Sequence, residues 1–378
     1  NANANLIMYP NTRIDKISLI NFKNHLNTSL KDLGSFVVLN GNNGSGKTNI
    51  LEAISLFSPG RGIKNSRFAE LPNKDKGQKN FEIKINVKYE TGEVELFRSF
   101  SSVEKNKNYI SVDNEKITNF QLLEFINILW ITPIMEKVLI QSNSEKRNFF
   151  DRLIFNINKT HLKNYAKLKK LLSERLALLK EKNYDTDWLN IVEKNIANLS
   201  VRLLIDRITF IDQLNNKLKS VKVPFNACQI DIYHELFKLG NISNSEDFTE
   251  KYINALYKNR EIDTLLNKTT LTVNKVEIKI FNNIERIIEA RNCSTGEQKS
   301  ILLSIFLSVA NMVKDQNNSR SPIILIDEAM AHLDTEHKEF LFSELESLKS
   351  QVWFSGVSKN LFENINNQTV FFDMKNVV

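Results

Sequence analysis

The chain has 378 residues, of which 42% are hydrophobic and 25% are charged, so it is long and apolar enough for two or three packed domains. Its net charge of +7 permits an acidic partner such as nucleic acid but does not require one. Two cysteines exclude a disulfide-rich scaffold, and five scattered histidines offer no metal-binding cluster. The longest mostly apolar stretch, 301–313, is too short to span a bilayer. We therefore expect a reduced, cytosolic protein without a membrane segment.

The N-terminal third of the chain reads as strands around a glycine-rich loop. Short strand patterns are followed by a continuous apolar run at 36–39, which is typical of a strand buried in a parallel sheet. The glycine-rich loop comes next, and apolar residues then recur at the spacing of one helix face. Between 81 and 117, apolar and polar residues largely alternate. This alternation predicts a half-exposed antiparallel sheet with a turn at 91–92.

From residue 121 the apolar spacing becomes helical. It is clearest over 168–179 and 192–203, which are separated by a polar break near 183–185. This pattern predicts a helical hairpin with an apolar seam. The seam is too short to distinguish a plain helical subdomain from a coiled-coil arm.

The C-terminal third alternates between strand and helix patterns. Residues 270–280 alternate as a strand. After a helix, short apolar runs at 323–326 and 352–354 predict buried strands separated by another helix, and a closing strand is expected near 370–372.

A complete phosphate-loop pattern follows the first buried strand. The pattern G-x-x-x-x-G-K-[ST] is matched by Gly41, Asn42, Asn43, Gly44, Ser45, Gly46, Lys47 and Thr48. Its glycines allow successive N–H groups to point at a phosphate, and the following helix adds the partial positive charge of its N-terminus. Lys47 is expected to contact the β- and γ-phosphates, and the Thr48 hydroxyl to ligate Mg²⁺. The sequence therefore predicts an ATP·Mg²⁺ site.

An acidic pair near the C-terminus complements this loop. The apolar run at 323–326 is followed by Asp327 and Glu328, and the carboxyl end of a parallel strand places both carboxylates near the phosphate loop. We expect Asp327 to hold Mg²⁺ through water. Glu328 is expected to orient and deprotonate the attacking water. Lys47, Asp327 and Glu328 are thus the predicted catalytic residues.

Two compatible interpretations apply to residues 294–299. In the first, Ser294 and Glu297 form a capping box at a helix N-terminus. In the second, the segment resembles the signature of ABC-type ATPases, in which the Ser294 hydroxyl, the Gly296 N–H and the helix dipole bind a γ-phosphate held by another subunit. Glu297 belongs to the same predicted nucleotide contact. Asp334 lies where ABC-type ATPases carry their D-loop and is also assigned to the nucleotide site.

The signature predicts a dimer. In ABC-type heads it does not reach the phosphate loop of its own chain, so two heads must meet face to face with two ATP molecules between them. Hydrolysis then opens the pair, so ATP holds the two copies together only until it is hydrolysed.

These motifs, taken in order, resemble the RecF family of bacterial recombination mediators, which have an SMC-like ATPase head. The resemblance implies nucleotide contacts for Asn24 and Asn49. The chain departs from the family at Lys64, where arginine is usual, and at Glu297, where the family signature has glutamine. It also has no recognisable G-P-H-R-x-D segment before the signature, where residues 266–270 stand instead, and lacks the acidic pair after Pro133. The matching segments are 21–25, 40–58, 131–133, 146–152, 294–307 and 351–355.

The resemblance implies an α/β fold: an ABC-type P-loop ATPase head with a mixed or parallel sheet, flanking helices and an antiparallel β subdomain. Residues 1–125 and 271–378 would form the head, and residues 126–270 an inserted helical lobe with a short hairpin arm.

The resemblance also implies a cytoplasmic DNA replication and repair protein that acts in the SOS response. Such a protein would be a weak, DNA-stimulated ATPase and an ATP-dependent homodimer on single-stranded, gapped or junction DNA. With RecR and RecO it would help to load recombinase at gaps and stalled forks.

Two alternatives remain open from the sequence. One is another ABC-type ATPase of the SMC or overcoming-lysogenisation kind, and the other is an ATP-gated scaffold with little turnover. A transporter subunit fits worst, because Ser355 stands where a switch histidine would follow the last core strand.

Overall fold

A computed structural model describes residues 11–42, 44–104, 106–181, 185–282, 288–316, 320–328, 333–356 and 369–376. The chain divides into two units. The first comprises Asn1–Glu136 and Phe306–Val378, and the second comprises Lys137–Ile305. The predicted assignment of 1–125, 126–270 and 271–378 to head and lobe stays a prediction.

The strands within the described ranges form three sheets. In chain order the strands are β1 (Thr12–Phe22), β2 (His25–Lys31), β3 (Phe36–Asn40), β4 (Asn80–Tyr89), β5 (Gly92–Ser101), β6 (Lys107–Val112), β7 (Glu115–Lys116), β8 (Ile128–Ile131), β9 (Cys228–Tyr233), β10 (Glu277–Asn282), β11 (Ile288–Glu289), β12 (Ile323–Asp327), β13 (Val352–Ser355) and β14 (Thr369–Asp373).

The helices connect and flank these sheets. The described α-helices are α1 (Lys47–Ser55), α2 (Leu122–Phe125), α3 (Pro133–Glu136), α4 (Asn143–Ile157), α5 (Lys159–Lys180), α6 (Thr186–Leu218), α7 (Ser245–Lys258), α8 (Arg260–Leu266), α9 (Thr295–Gln316) and α10 (Thr335–Ser347). None of those described combines the length and the apolar character that a membrane span requires.

The first unit contains a parallel sheet whose carboxyl ends carry the candidate site. Its strand order is β14-β3-β13-β12-β8, and every neighbouring pair is parallel. Strands β8, β12 and β13 are buried along their whole length, which explains their continuous apolar sequences. The register pairs Ser355 with Asp327 on one side and with Leu39 on the other, so β3, β12 and β13 end together. The predicted buried strands are thereby confirmed.

The second sheet of this unit is antiparallel, in the order β2-β1-β4-β5-β6-β7. Alternate residues of β4, namely Phe81, Ile83, Ile85 and Val87, are fully buried, while the residues between them are partly exposed. This confirms the predicted half-exposed sheet. Its hairpin turn lies between β4 and β5, at 90–91, next to the predicted position.

The second unit is built around the predicted helical hairpin, α5 and α6. The polar break predicted near 183–185 lies largely outside the described residues. Helix α6 packs against α7, α4 and β9 as well as against α5. The hairpin is therefore part of a helical subdomain and not a free-standing coiled coil.

The predicted strand over 270–280 is wrong in its first half. Residues Val273–Lys275 form a short 3₁₀ turn, and β10 begins only at Glu277. The Thr272 hydroxyl accepts a hydrogen bond from the Asn274 N–H at 3.4 Å, so a local side-chain bond competes with strand pairing.

Buried ion pairs link the helices of the second unit. Arg207 on α6 forms a two-pronged pair with Asp151 on α4, with both N···O distances at 2.8 Å. His161 on α5 lies 3.5 Å from Asp151 and 2.8 Å from Asp206. Burial alone would raise the pKa of Asp151, but hydrogen bonds from His161 and Arg207 outweigh it and lower that pKa to about 2.

Replacing Asp151 with Asn should lower the free energy of unfolding by about 3–5 kcal/mol at pH 7, because it leaves the buried Arg207 charge without its partner. The folded-state pKa of Asp151 lies below its unfolded value, so its stabilisation is present above the unfolded pKa. We expect it to be lost as the pH falls from about 3.8 to about 2. Urea denaturation followed by circular dichroism over this range measures the effect. If the difference in the free energy of unfolding between wild type and Asp151→Asn did not change with pH, this prediction would be contradicted.

Candidate functional site

The phosphate loop closes around its own lysine. It leaves the carboxyl end of β3 and enters α1, which begins at Lys47. The Lys47 ammonium group donates hydrogen bonds to the carbonyl oxygens of Gly41 at 2.6 Å and Asn42 at 2.8 Å. Asn43, also predicted to bind nucleotide, lies outside the described residues. The positive charge therefore lies inside the curve of the loop, where a phosphate would approach.

A cleft lies beside this loop, and most of its wall is made of residues predicted from the sequence. One further cation, Lys64, contributes to it and donates a hydrogen bond from Nζ to Asn49 Oδ1 at 3.3 Å. Two ammonium groups and the N-terminus of α1 make this cleft complementary to a polyphosphate. The lining residues are Gly44, Gly46, Lys47, Thr48, Asn49, Lys64 and Glu328.

One carboxylate joins the loop to the parallel sheet. The Thr48 hydroxyl donates a hydrogen bond to Oδ1 of Asp327 at 2.9 Å, and the Ser355 hydroxyl donates to the same oxygen. Asp327 is only 8% exposed. Because both donors use Oδ1, the second carboxylate oxygen is left for a ligand. A hydroxyl and a carboxylate oxygen at the edge of a phosphate cleft are ligands that Mg²⁺ prefers, so these residues fit that ion.

The second predicted carboxylate, Glu328, is exposed and lines the cleft. Its backbone is left-handed, with φ at 51°, and its N–H donates to the Ser355 carbonyl oxygen at 3.2 Å. The neighbouring Gly356 is also left-handed, with φ at 70°, and a Cβ there would lie 2.5 Å from Glu328 Cγ. Because residue 356 is glycine, there is room for the Glu328 side chain in this position. This role is visible only from the packing.

The turn between β1 and β2 contacts the loop from the other side. Asn24, for which the resemblance implies a nucleotide contact, accepts a hydrogen bond from Asn49 Nδ2 at 2.7 Å through its Oδ1. His25, which the sequence did not single out, lies 3.2 Å from the Gly46 carbonyl oxygen. The hairpin thus supports the loop. A short contact of this kind joins residues distant in sequence, and no local pattern indicates it.

The signature segment in the second unit has capping-box geometry. The Ser294 N–H and hydroxyl both donate to Glu297 Oε2 at 2.8 Å, and the Glu297 N–H donates to the Ser294 hydroxyl at 3.3 Å. Gly296 lies in the first turn of α9, and a Cβ there would meet nothing within 4 Å. The capping interpretation is therefore confirmed, and the γ-phosphate role stays a prediction.

Asp334 caps α10. Its Oδ1 accepts hydrogen bonds from the N–H and the Nδ1 of His337, both at 2.8 Å, and these bonds lower the pKa of Asp334. It is not one of the residues that line the cleft in the described part of the chain. Residues 331 and 332 of the predicted D-loop lie outside the described residues, so its contact with nucleotide stays a prediction.

Residues 13–378 match the family model described as the RecF/RecN/SMC N terminal domain. The chain is 30% identical to the DNA replication and repair protein RecF of Rickettsia prowazekii (strain Madrid E), over 95% of this chain and 98% of that protein. It is 31% identical to the protein of the same name from Rickettsia massiliae (strain Mtu5), over 94% of this chain and 97% of that protein. The chain belongs to the RecF family of DNA replication and repair proteins.

Solved structures show the same fold. The structure described as the recombination mediator protein RecF-ATP in RecFOR pathway superposes with a TM-score of 0.84 at 21% identity, covering 99% of this chain and 98% of that one. The Smc head domain from Pyrococcus furiosus, bound to the C-terminal domain of ScpA, gives a TM-score of 0.54 at 17% identity, covering 97% and 95%. The predicted ABC-type ATPase head and the resemblance to RecF are both confirmed.

Gly356→Ala should reduce ATP hydrolysis by about tenfold or more, because the added Cβ displaces the Glu328 carboxylate. Nucleotide affinity should change by less than about twofold, since this carboxylate is not a phosphate ligand. Phosphate-release assays and titration with a fluorescent nucleotide measure the two quantities.

Gly77→Ala is the matched control. Its φ of 64° is close to that of Gly356, but a Cβ there would meet nothing within 4 Å. Both variants should lose about 1–2 kcal/mol of stability to the left-handed backbone. Equal hydrolysis in the two variants would contradict the proposed contact.

Proposed function

We propose that this chain is an ATP-dependent DNA-binding ATPase that dimerises on ATP and uses hydrolysis to end its hold on DNA. The observation that carries this proposal is the cleft, where Lys47, the Thr48–Asp327 hydrogen bond and Glu328 lie together. The membership of the RecF family supports the assignment to replication and repair.

Each side chain of the cleft has a separate task in this proposal. Lys47 exchanges its two carbonyl partners for the β- and γ-phosphates. Thr48 and Asp327 would hold Mg²⁺, Asp327 through water, and the ion would supply positive charge that neutralises the phosphates. Glu328 accepts the proton of the attacking water from its exposed position at the cleft wall.

The signature completes the site of a second copy. The Ser294 hydroxyl, the Gly296 N–H and the N-terminus of α9 would bind the γ-phosphate held by the partner subunit. Here the Ser294 donors are engaged by the Glu297 carboxylate, a negative charge at the place where the phosphate must bind. This arrangement supports a weak ATPase whose dimer forms only when ATP competes successfully for these donors.

DNA and the protein partners are proposed from the family. We infer single-stranded, gapped or junction DNA as the substrate, RecR and RecO as partners, and recombinase loading at gaps and stalled forks in the cytoplasm as the task. DNA is expected to stimulate the slow hydrolysis. The engaged Ser294 donors also favour a second candidate, an ATP-gated scaffold with little turnover. ATP binding without DNA-stimulated hydrolysis would distinguish the scaffold.

ATP·Mg²⁺ with gapped DNA should convert the protein from monomer to dimer, as measured by size-exclusion chromatography with light scattering. Ser294→Arg should abolish the dimer while nucleotide still binds, because its bulk and lost hydroxyl block the trans contact. A dimer that persists in Ser294→Arg would disprove the signature-mediated contact.

Two variants of the cleft test the other steps of the cycle. Glu328→Gln should accumulate the dimer by slowing hydrolysis, and Lys47→Ala should lose nucleotide binding.

Glu297→Gln should strengthen ATP-dependent dimerisation by about threefold to tenfold, because it removes the carboxylate that opposes the incoming phosphate. Its amide can still accept the Ser294 N–H, so the cap is retained and the melting temperature should change little. Dimerisation as a function of ATP concentration measures the effect. Unchanged or weaker dimerisation with an intact cap would show that the charge does not control assembly.

A further inference from the structure

A buried histidine lies directly against the phosphate loop. His25, the first residue of β2, has no solvent exposure. Its Nε2 lies 3.2 Å from the Gly46 carbonyl oxygen, and its Nδ1 lies 3.0 Å from the Thr28 hydroxyl. Both ring nitrogens therefore have partners, and one partner is the backbone of the loop itself.

The partners define the tautomer. A carbonyl oxygen can only accept a hydrogen bond, so Nε2 carries the proton. Burial lowers the pKa of His25, and the bond to Gly46 opposes this only in part, which favours the neutral ring at neutral pH. In a neutral ring the bare Nδ1 accepts from the Thr28 hydroxyl. The hydrogen bonds thus run in one direction, from Thr28 through His25 to Gly46.

The Gly46 carbonyl belongs to the peptide unit that also contains the Lys47 N–H. Because a peptide unit is planar and trans, holding the carbonyl on one side fixes the N–H on the other. Gly46 has a left-handed φ of 95°, and a Cβ there would lie 2.7 Å from both His25 Nε2 and Asn24 Nδ2. The Gly46 carbonyl also accepts the backbone N–H groups of Asn49 at 3.0 Å and Ile50 at 3.1 Å. The imidazole therefore fills the space beside the glycine and adds a third donor to this carbonyl, from the side of the β1–β2 hairpin.

We propose that His25 is a positioning residue for nucleotide binding, whose Nε2–H fixes the Gly46–Lys47 peptide so that the Lys47 N–H faces the nucleotide phosphates. The Asn24–Asn49 bond attaches the same hairpin to the first turn of α1, so the hairpin that carries the ring has a second link to the helix. This inference rests on the proposed nucleotide site and adds a residue to it that touches no phosphate.

The test separates the two nitrogens of the ring. In His25→Gln the amide nitrogen reaches about as far as Nε2 and can still donate to Gly46. In His25→Asn the shorter amide reaches only the Nδ1 position. We expect ATP and ADP to bind His25→Gln within about twofold of wild type and His25→Asn about tenfold more weakly. The hydrolysis rate at saturating ATP should be nearly unchanged in both, so KM moves and kcat does not.

His234→Asn in the second unit is the matched control. His234 is also buried, with Nε2 3.1 Å from the Thr272 carbonyl oxygen and Nδ1 accepting from the Leu236 N–H at 2.8 Å. It should lower the melting temperature as His25→Asn does, but leave ATP affinity unchanged. If His25 had a merely structural role, the two variants would lower the melting temperature alike and neither would weaken ATP binding. A loss of ATP affinity in His25→Asn alone is therefore the result that a structural role would not produce.

Each outcome decides the question. If folded wild-type protein does not bind ATP, the proposed function and this inference both fall. If wild type binds ATP but His25→Asn binds equally well, or if His25→Gln weakens binding as much as His25→Asn, the inference alone is overturned. Should His25→Asn fail to fold, the ring nitrogens of ¹⁵N-histidine wild-type protein decide by NMR. A proton on Nε2 whose resonance shifts on adding ATP supports the inference, and a proton on Nδ1 overturns it.

Discussion

The candidate site depends on one oxygen atom, Oδ1 of Asp327. It accepts hydroxyl hydrogen bonds from Thr48 at the start of α1 and from Ser355 at the end of β13. The three residues come from different parts of the sequence and meet only because β3, β12 and β13 end in register at one edge of the parallel sheet. Since the carboxylate is almost fully buried, neither hydroxyl could be removed without leaving part of its charge less well solvated.

That register also explains why the sequence predicted this half of the site well. Parallel strands buried on both faces must be continuous apolar runs, so β3, β12 and β13 are visible in the sequence. Their carboxyl ends then share an edge by geometry, and a glycine-rich loop and an acidic pair at those ends must be neighbours. The sequence thus predicted that Lys47, Thr48, Asp327 and Glu328 lie together, and the structure places them so, while their roles toward nucleotide stay predictions.

The parts that the sequence missed share a different physical origin. The supporting bond from His25 joins a hairpin to the loop, and the space that Gly356 leaves for Glu328 depends on two left-handed residues that face each other. Neither feature produces a periodic pattern in the sequence, because each depends on a single contact between residues that are distant along the chain. The wrong strand start at 270–276 has a related cause, since the Thr272 hydroxyl competes locally with the backbone pairing that the alternating pattern predicts.

Two of the groups expected to bind phosphate, the Lys47 ammonium group and the Ser294 donors, are engaged by partners from the chain itself. Lys47 is bound to the carbonyls of Gly41 and Asn42, and the Ser294 donors are bound to Glu297. A bound nucleotide must therefore replace these hydrogen bonds with its own. The net gain in binding free energy is smaller than the number of new contacts suggests. For the loop the exchange replaces neutral carbonyls with charged phosphates and is favourable. For the signature of the proposed dimer, the exchange would replace one anion with another. Assembly of that dimer would then be the more finely balanced step, and the one that the charge at 297 would control.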